Sequence, residues 1–121
     1  MVIFDTNAIL RYILQDNQAM ADMVEDEISK HVCLIPVEVV AEMVYVLLKV
    51  YGIKREVIAN TINELSKLQN IIIANETVVL YAMQVFEIST LDFVDCLLVG
   101  YAKTEGHEII TFDKKLKNRL I

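Results

Sequence analysis

The sequence predicts an α/β fold, a small and mostly parallel sheet of about four to five strands flanked by helices on both faces. Three observations lead there. Short apolar runs rich in β-branched residues alternate with longer segments of helical periodicity. The runs carry no polar residue at every second place, so the strands are apolar on both sides and the sheet is covered on both sides. One Pro and three Gly in 121 residues leave little room for irregular structure.

In chain order, Val2 to Phe4 is an apolar run stopped by Asp5, and Ile9, Leu10, Ile13 and Leu14 follow at helical spacing. A second helix with a polar face runs from about Gln18 to Lys30. Val32 to Ile35 is the next short strand, ended by Pro36, which suits the first turn of a helix. Val37 to Tyr51 is apolar nearly all round, which predicts a helix buried in the core or in an interface and stopped at Gly52. Lys54 to Lys67 repeats the helical spacing with Val57, Ile58, Ile62 and Leu65, and Ile71 to Ile73 reads as a buried strand. Helices are expected over Glu76 to Glu87 and Asp92 to Glu105, the second ending at Gly106. Glu108 to Thr111 reads as a last strand, and Asp113 to Lys117 begins a final basic turn.

A composition of 55% hydrophobic and 23% charged residues excludes disordered, collagen-like and loop-rich secreted classes. A mean hydropathy of +0.45 raises a membrane reading. The longest apolar stretches, such as Met43 to Leu48 and Val78 to Met83, are however only six residues, against about 20 for a membrane span. The start, Met-Val-Ile-Phe-Asp, has no basic segment and fits neither a signal nor a transit peptide. One domain over residues 1–121 and a cytoplasmic location are therefore expected. Cys33 and Cys96 sit in apolar segments without metal-ligand spacing and read as reduced core residues, and His31 and His107 as surface or packing residues.

The chemistry rests on acids. In open α/β sheets ligands bind beyond the carboxyl ends of strands, where Asp5 and Asp113 stand, Thr111 adding a hydroxyl. Helix capping and turn formation are the plain alternatives for the two. Glu42 falls among Val39, Val40, Ala41, Met43 and Val44 with no basic partner in its helix, so burial would make it protonate, pair or coordinate a metal. Glu38, in the first turn, needs only the helix dipole. Asp92 and Asp95 share nearly one helix face, Asp92 being the better cap and Asp95 lying inside the first turn. Carboxylates converging on one crevice persist by sharing protons or binding cations, and all-oxygen ligands select Mg²⁺ or Mn²⁺. The net charge of −6 speaks against a polyanion as partner. With these five acids assigned to a cation site, the rest of the protein is close to neutral, and Lys114, Lys115, Lys117 and Arg119, four of the eleven basic residues, follow Asp113 where a phosphate backbone could run.

Taken together these residues resemble the PIN domain family, in particular the VapC-type toxins of toxin–antitoxin pairs, over the whole length of the chain. The matching segments are Val2-Ile3-Phe4-Asp5-Thr6-Asn7, Ile35 to Met43 with Glu42, Asp92-Phe93-Val94-Asp95-Cys96, and Ile110-Thr111-Phe112-Asp113-Lys114. The resemblance implies a metal-dependent endoribonuclease in which Asp5, Glu42, Asp95 and Asp113 are catalytic and, with Asp92 as accessory, hold Mg²⁺ or Mn²⁺. Thr6, Asn7, Thr111, Lys114 and Lys115 would orient or contact the RNA. It also implies a homodimer and a cognate antitoxin. The chain ends at Ile121, so the closing strand of many relatives is expected to be short or absent.

Two other classes compete. A receiver domain would need paired acids after the first strand, and a haloacid dehalogenase-like phosphatase an Asp where Asn7 stands. An inactive RNA-binding or protein-interaction module would require one acidic element to be missing, and all four are present.

Overall fold

A repeated unit of one short strand followed by helices builds the molecule, and the computed structural model describes all 121 residues. Strand β1 (Val2–Ile3) leads into α1 (Thr6–Leu14) and α2 (Gln18–Lys30), and β2 (Cys33–Ile35) into α3 (Val37–Lys49) and α4 (Arg55–Ser66). Strand β3 (Ile71–Ile73) is followed by α5 (Glu76–Ile88), α6 (Phe93–Glu105) and α7 (Lys114–Leu120). The strands form one parallel sheet in the order β1-β2-β3, with Val2 opposite Cys33 and Cys33 opposite Ile71. No helix is long and apolar enough to cross a membrane.

Local chemistry sets the helix ends. Asn17 caps α2 through its side chain, and the extended backbone of Pro36 precedes α3. Gly106 ends α6 at φ +74°, a left-handed conformation that costs a residue without Cβ nothing.

The core is one cluster of 28 buried residues, in which Cys33, Ile35, Ile71 and Ile73 from the sheet join Val40, Met43, Val44 and Leu47 of α3 and the facing sides of α5 and α6. The last two helices approach closely. A Cβ placed on Gly100 of α6 would stand 2.7 Å from the Val78 carbonyl oxygen of α5, so only glycine fits there. Phe86 and Phe93 close the same interface edge to face at 6.0 Å.

The sheet has three strands, not four to five, because Glu108 to Thr111 forms none. The segment keeps the period-two exposure of extended chain, Ile110 at 80% and Phe112 at 94% exposed with Ile109 and Thr111 half-buried, but it makes no ladder. A ladder needs a paired edge, and the two outer strands of the sheet, β1 and β3, have only two and three residues. What reads as a final basic turn is a helix, α7, fixed by the buried Leu116. The expectation of a buried α3, apolar nearly all round, holds for one face only: Glu38, Glu42, Tyr45 and Lys49 form an exposed stripe along it.

Candidate functional site

Asp5 and Asp113 are both helix caps. The Ala8 amide donates to Asp5 Oδ1 at 2.9 Å, and the Leu116 amide to Asp113 Oδ1 at 3.0 Å. Each acid thus uses one carboxylate oxygen to satisfy a first-turn amide and keeps Oδ2 for something else. Thr111 supports the second of them, its hydroxyl accepting from the Asp113 amide at 3.1 Å. Asp113 does not stand at the end of a strand, since the strand before it is not formed.

Asp92 and Asp95 open α6. Asp92 occupies the N-cap position with extended backbone, and its side chain makes no capping bond, contrary to the capping role its sequence position suggests. Its carboxylate is left exposed. Asp95, in the first turn, is half-buried, and burial above all, then the negative charges of Asp113 and Asp92, push its carboxyl above the ordinary range. The fold therefore brings Asp92, Asp95 and Asp113 into one electrostatic neighbourhood.

The loop that carries Asp92 is tied down by a residue that sequence reasoning missed. Arg55, at the start of α4, donates through Nη1 to the carbonyls of Phe86 at 3.2 Å, Ser89 at 3.0 Å and Leu91 at 2.8 Å. Its guanidinium also lies 4.2 Å over the Phe86 ring. The sequence signal is one cation at the head of a helix, with nothing to mark carbonyls a third of the chain away as its partners.

Glu42 is exposed, which corrects the expectation of a buried carboxylate. Helical spacing explains it: Val40, Met43, Val44 and Leu47 take the buried face, and Glu42 rides on the opposite stripe with Tyr45 and Lys49. Those two side chains, with Ala41, Phe93, Asp92 and Asp95, line a pocket of about 510 Å³ between α3 and α6. Glu42 thus belongs to the stripe that borders the pocket of Asp92 and Asp95. Tyr45 and Lys49 are further pocket residues that the sequence did not single out.

Asp5 lines a smaller hollow of about 200 Å³ with Asn7, Arg11 and Met23. The cation of that hollow is engaged, Arg11 holding Asp16 at 2.8 Å. Thr6 is buried, and Asn7, Lys114 and Lys115 are exposed.

No three His, Cys, Asp or Glu side chains stand close enough together to hold a metal ion. In kind, the donors of the α6 cluster fit a hard divalent cation: they are carboxylate oxygens, and positive charge would offset both the burial that chiefly lifts Asp95 and the repulsion that Asp113 and Asp92 add. Asp92 and Asp95 line one pocket with Asp113 near enough for its charge to act on Asp95, Glu42 rides on the helix stripe beside that pocket, and Asp5 lines a smaller hollow with Asn7.

One family model, described as PIN domain, matches residues 2–119 of the chain. No curated protein and no solved structure matches it.

Proposed function

The chain belongs to the PIN domain family, whose members are generally metal-dependent nucleases, and from that premise we propose that it is an endoribonuclease using Mg²⁺ or Mn²⁺, the VapC-type toxin of a toxin–antitoxin pair. The observation that carries this reading is that Asp92 and Asp95 line one pocket beside the Glu42 stripe of α3, with Asp113 near enough for its charge to act on Asp95. Uncompensated acids in one place are costly for a fold, and a divalent cation on a phosphodiester is a partner that turns the cost into binding.

In this reading the 121 residues are one catalytic unit. Asp5, Glu42, Asp95 and Asp113 hold the cation, with Asp92 accessory. When bound, a divalent ion lowers the pKa of a water for attack on the phosphodiester and stabilises charge on the leaving oxygen. The chain's own groups do the rest. Asp5 and Asp113 are held in place by the amides they cap, so their remaining oxygens are positioned before any ligand arrives. Thr111 fixes the turn that aims Asp113. Thr6, Asn7, Lys114 and Lys115 orient the RNA, and the cytoplasm, a second copy of the chain and a cognate antitoxin complete the picture.

The absence of a ready three-acid ligand set favours a second reading, an inactive RNA-binding or protein-interaction module. Cleavage of a mixed RNA pool, with Mg²⁺ or Mn²⁺ against EDTA, separates the two. Metal-dependent cutting lost in Asp5→Asn, Glu42→Gln and Asp95→Asn supports the nuclease and its residues together. An inert wild type, or variants that cut equally well, leaves the module.

A further inference from the structure

The cations at the end of the chain are not equivalent. On α7, Lys115, Asn118 and Arg119 lie on one face at helical spacing. They wall a cleft of about 400 Å³ whose other side is the loop of Ser89, Thr90 and Leu91. Lys114 and Lys117 line no part of it.

Every polar group offered by these side chains donates: an ammonium, a guanidinium, an amide and two hydroxyls, with no carboxylate in the wall. Three of the protein's cations are neutralised by acids, Arg11 by Asp16, Lys30 by Asp26 and Lys67 by Glu64. Lys115 and Arg119 are in no ion pair; Arg119 donates only to the Ile88 carbonyl, at 3.2 Å, which holds α7 against the loop and keeps the cleft in shape. In a chain of net charge −6, an acid-free wall with unpaired cations is an anion site.

The ends of the cleft say which anion. Leu91 is followed directly by Asp92, and Lys115 is preceded two residues earlier by Asp113, so a chain lying in the cleft runs onto the acid cluster from both walls. We infer that the cleft between α7 and the Ser89–Leu91 loop is a phosphate-binding subsite that holds the RNA backbone one step away from the acids, with Lys115 and Arg119 as its charged contacts. The inference deepens the nuclease reading and rests on it for the identity of the polyanion.

The test is binding of a fluorescently labelled single-stranded RNA oligonucleotide in EDTA, where cutting cannot interfere, titrated at several salt concentrations. Lys115→Gln is expected to weaken binding roughly three- to tenfold at low salt and to reduce the salt slope by about 0.7, the value for one phosphate contact on a single strand. Lys117→Gln, with the same loss of charge off the cleft, is expected to change neither. Lys115 is exposed, so its variant folds, and a thermal melt of each variant checks this. Equal weakening by both variants means a diffuse basic tail and overturns the subsite. So does an oligoglutamate peptide that displaces the RNA at equal charge concentration, which would assign the cleft to an acidic protein segment. RNA cutting by the wild type with binding unmoved by Lys115→Gln sinks the subsite and leaves the nuclease standing, whereas the expected binding differences in a protein that cuts RNA with neither Mg²⁺ nor Mn²⁺ keep the subsite and remove the nuclease.

Discussion

The guanidinium of Arg55 and the carbonyl of Leu91 meet at 2.8 Å across 36 residues of sequence. The same nitrogen holds the carbonyls of Phe86 and Ser89, so one side chain ends α5, shapes the loop and presents Asp92. Helix C-termini leave carbonyls without partners, and a cation is the favoured way to satisfy them.

Arg55→Met keeps the aliphatic stem and removes the charge and donors. The loss of charge-assisted bonds and the exposed carbonyls are expected to cost about 2–4 kcal/mol, read as a drop in Tm on the order of 10 °C. Arg55→Lys should recover part of it. A variant as stable as the parent would show that the clamp is dispensable.

Gly100→Ala puts a methyl 2.7 Å from the Val78 carbonyl oxygen and 3.1 Å from Val78 Cγ1. Backbone cannot yield there without moving α5 from α6, and overpacking of this kind costs about 1–3 kcal/mol. Urea unfolding measures it. Val78→Ala relieves only the side-chain contact and is expected to rescue little, since the carbonyl remains.

Burial pushes the Cys96 thiol up to about 11, partly offset by the nearby Ser89 side chain and by Arg55, and burial also raises Cys33. The thiolate is the reactive form, and below such a value the neutral thiol dominates. In a colorimetric thiol titration at pH 8 the folded protein is expected to stay silent over minutes, and to release both thiols on adding denaturant. Fast reaction of the native protein would contradict the burial of both.

Asp95 sets a pH dependence. Its folded carboxyl lies above the ordinary 3.8 because of burial, Asp113 and Asp92, so the folded state binds this proton more tightly than the unfolded one. Its contribution to stability is present below that ordinary value and is lost as pH rises through the folded value. In EDTA at pH 7, Asp95→Asn is therefore expected to melt slightly higher than the parent, the difference vanishing in acid. Mn²⁺ should raise the parent's Tm and leave the variant's unchanged, because an ion that binds only the folded state stabilises it. A lower melting variant in EDTA would mean that Asp95 is a structural acid.

Much of this fold was legible in the sequence because its signals are local. The spacing of Ile9, Leu10 and Ile13, the β-branched run of Ile71 to Ile73 and the stop at Gly106 need no knowledge of distant chain, and the structure has the corresponding elements. The same locality explains the misreadings. Glu108 to Thr111 has a strand's composition, but a strand needs a partner edge, and this segment pairs with none. Glu42 has apolar neighbours in sequence on either side, yet helical geometry sends them to the core and sends it outward.

For the site, the sequence by itself determined the inventory: which acids exist, that they are oxygen donors, that a basic stretch follows Asp113, and that the whole resembles one family. Only the tertiary structure decided which of them meet. Asp92 and Asp113 act on Asp95 because α6 and α7 pack together, Asp5 comes to line a hollow with Arg11 and Met23, and Arg55 becomes the clamp of a loop in another part of the chain. The physical reason is range. Capping and periodicity act within a turn or two of the chain, whereas carboxylate repulsion and the bonds of Arg55 act through space, between residues that only packing makes neighbours.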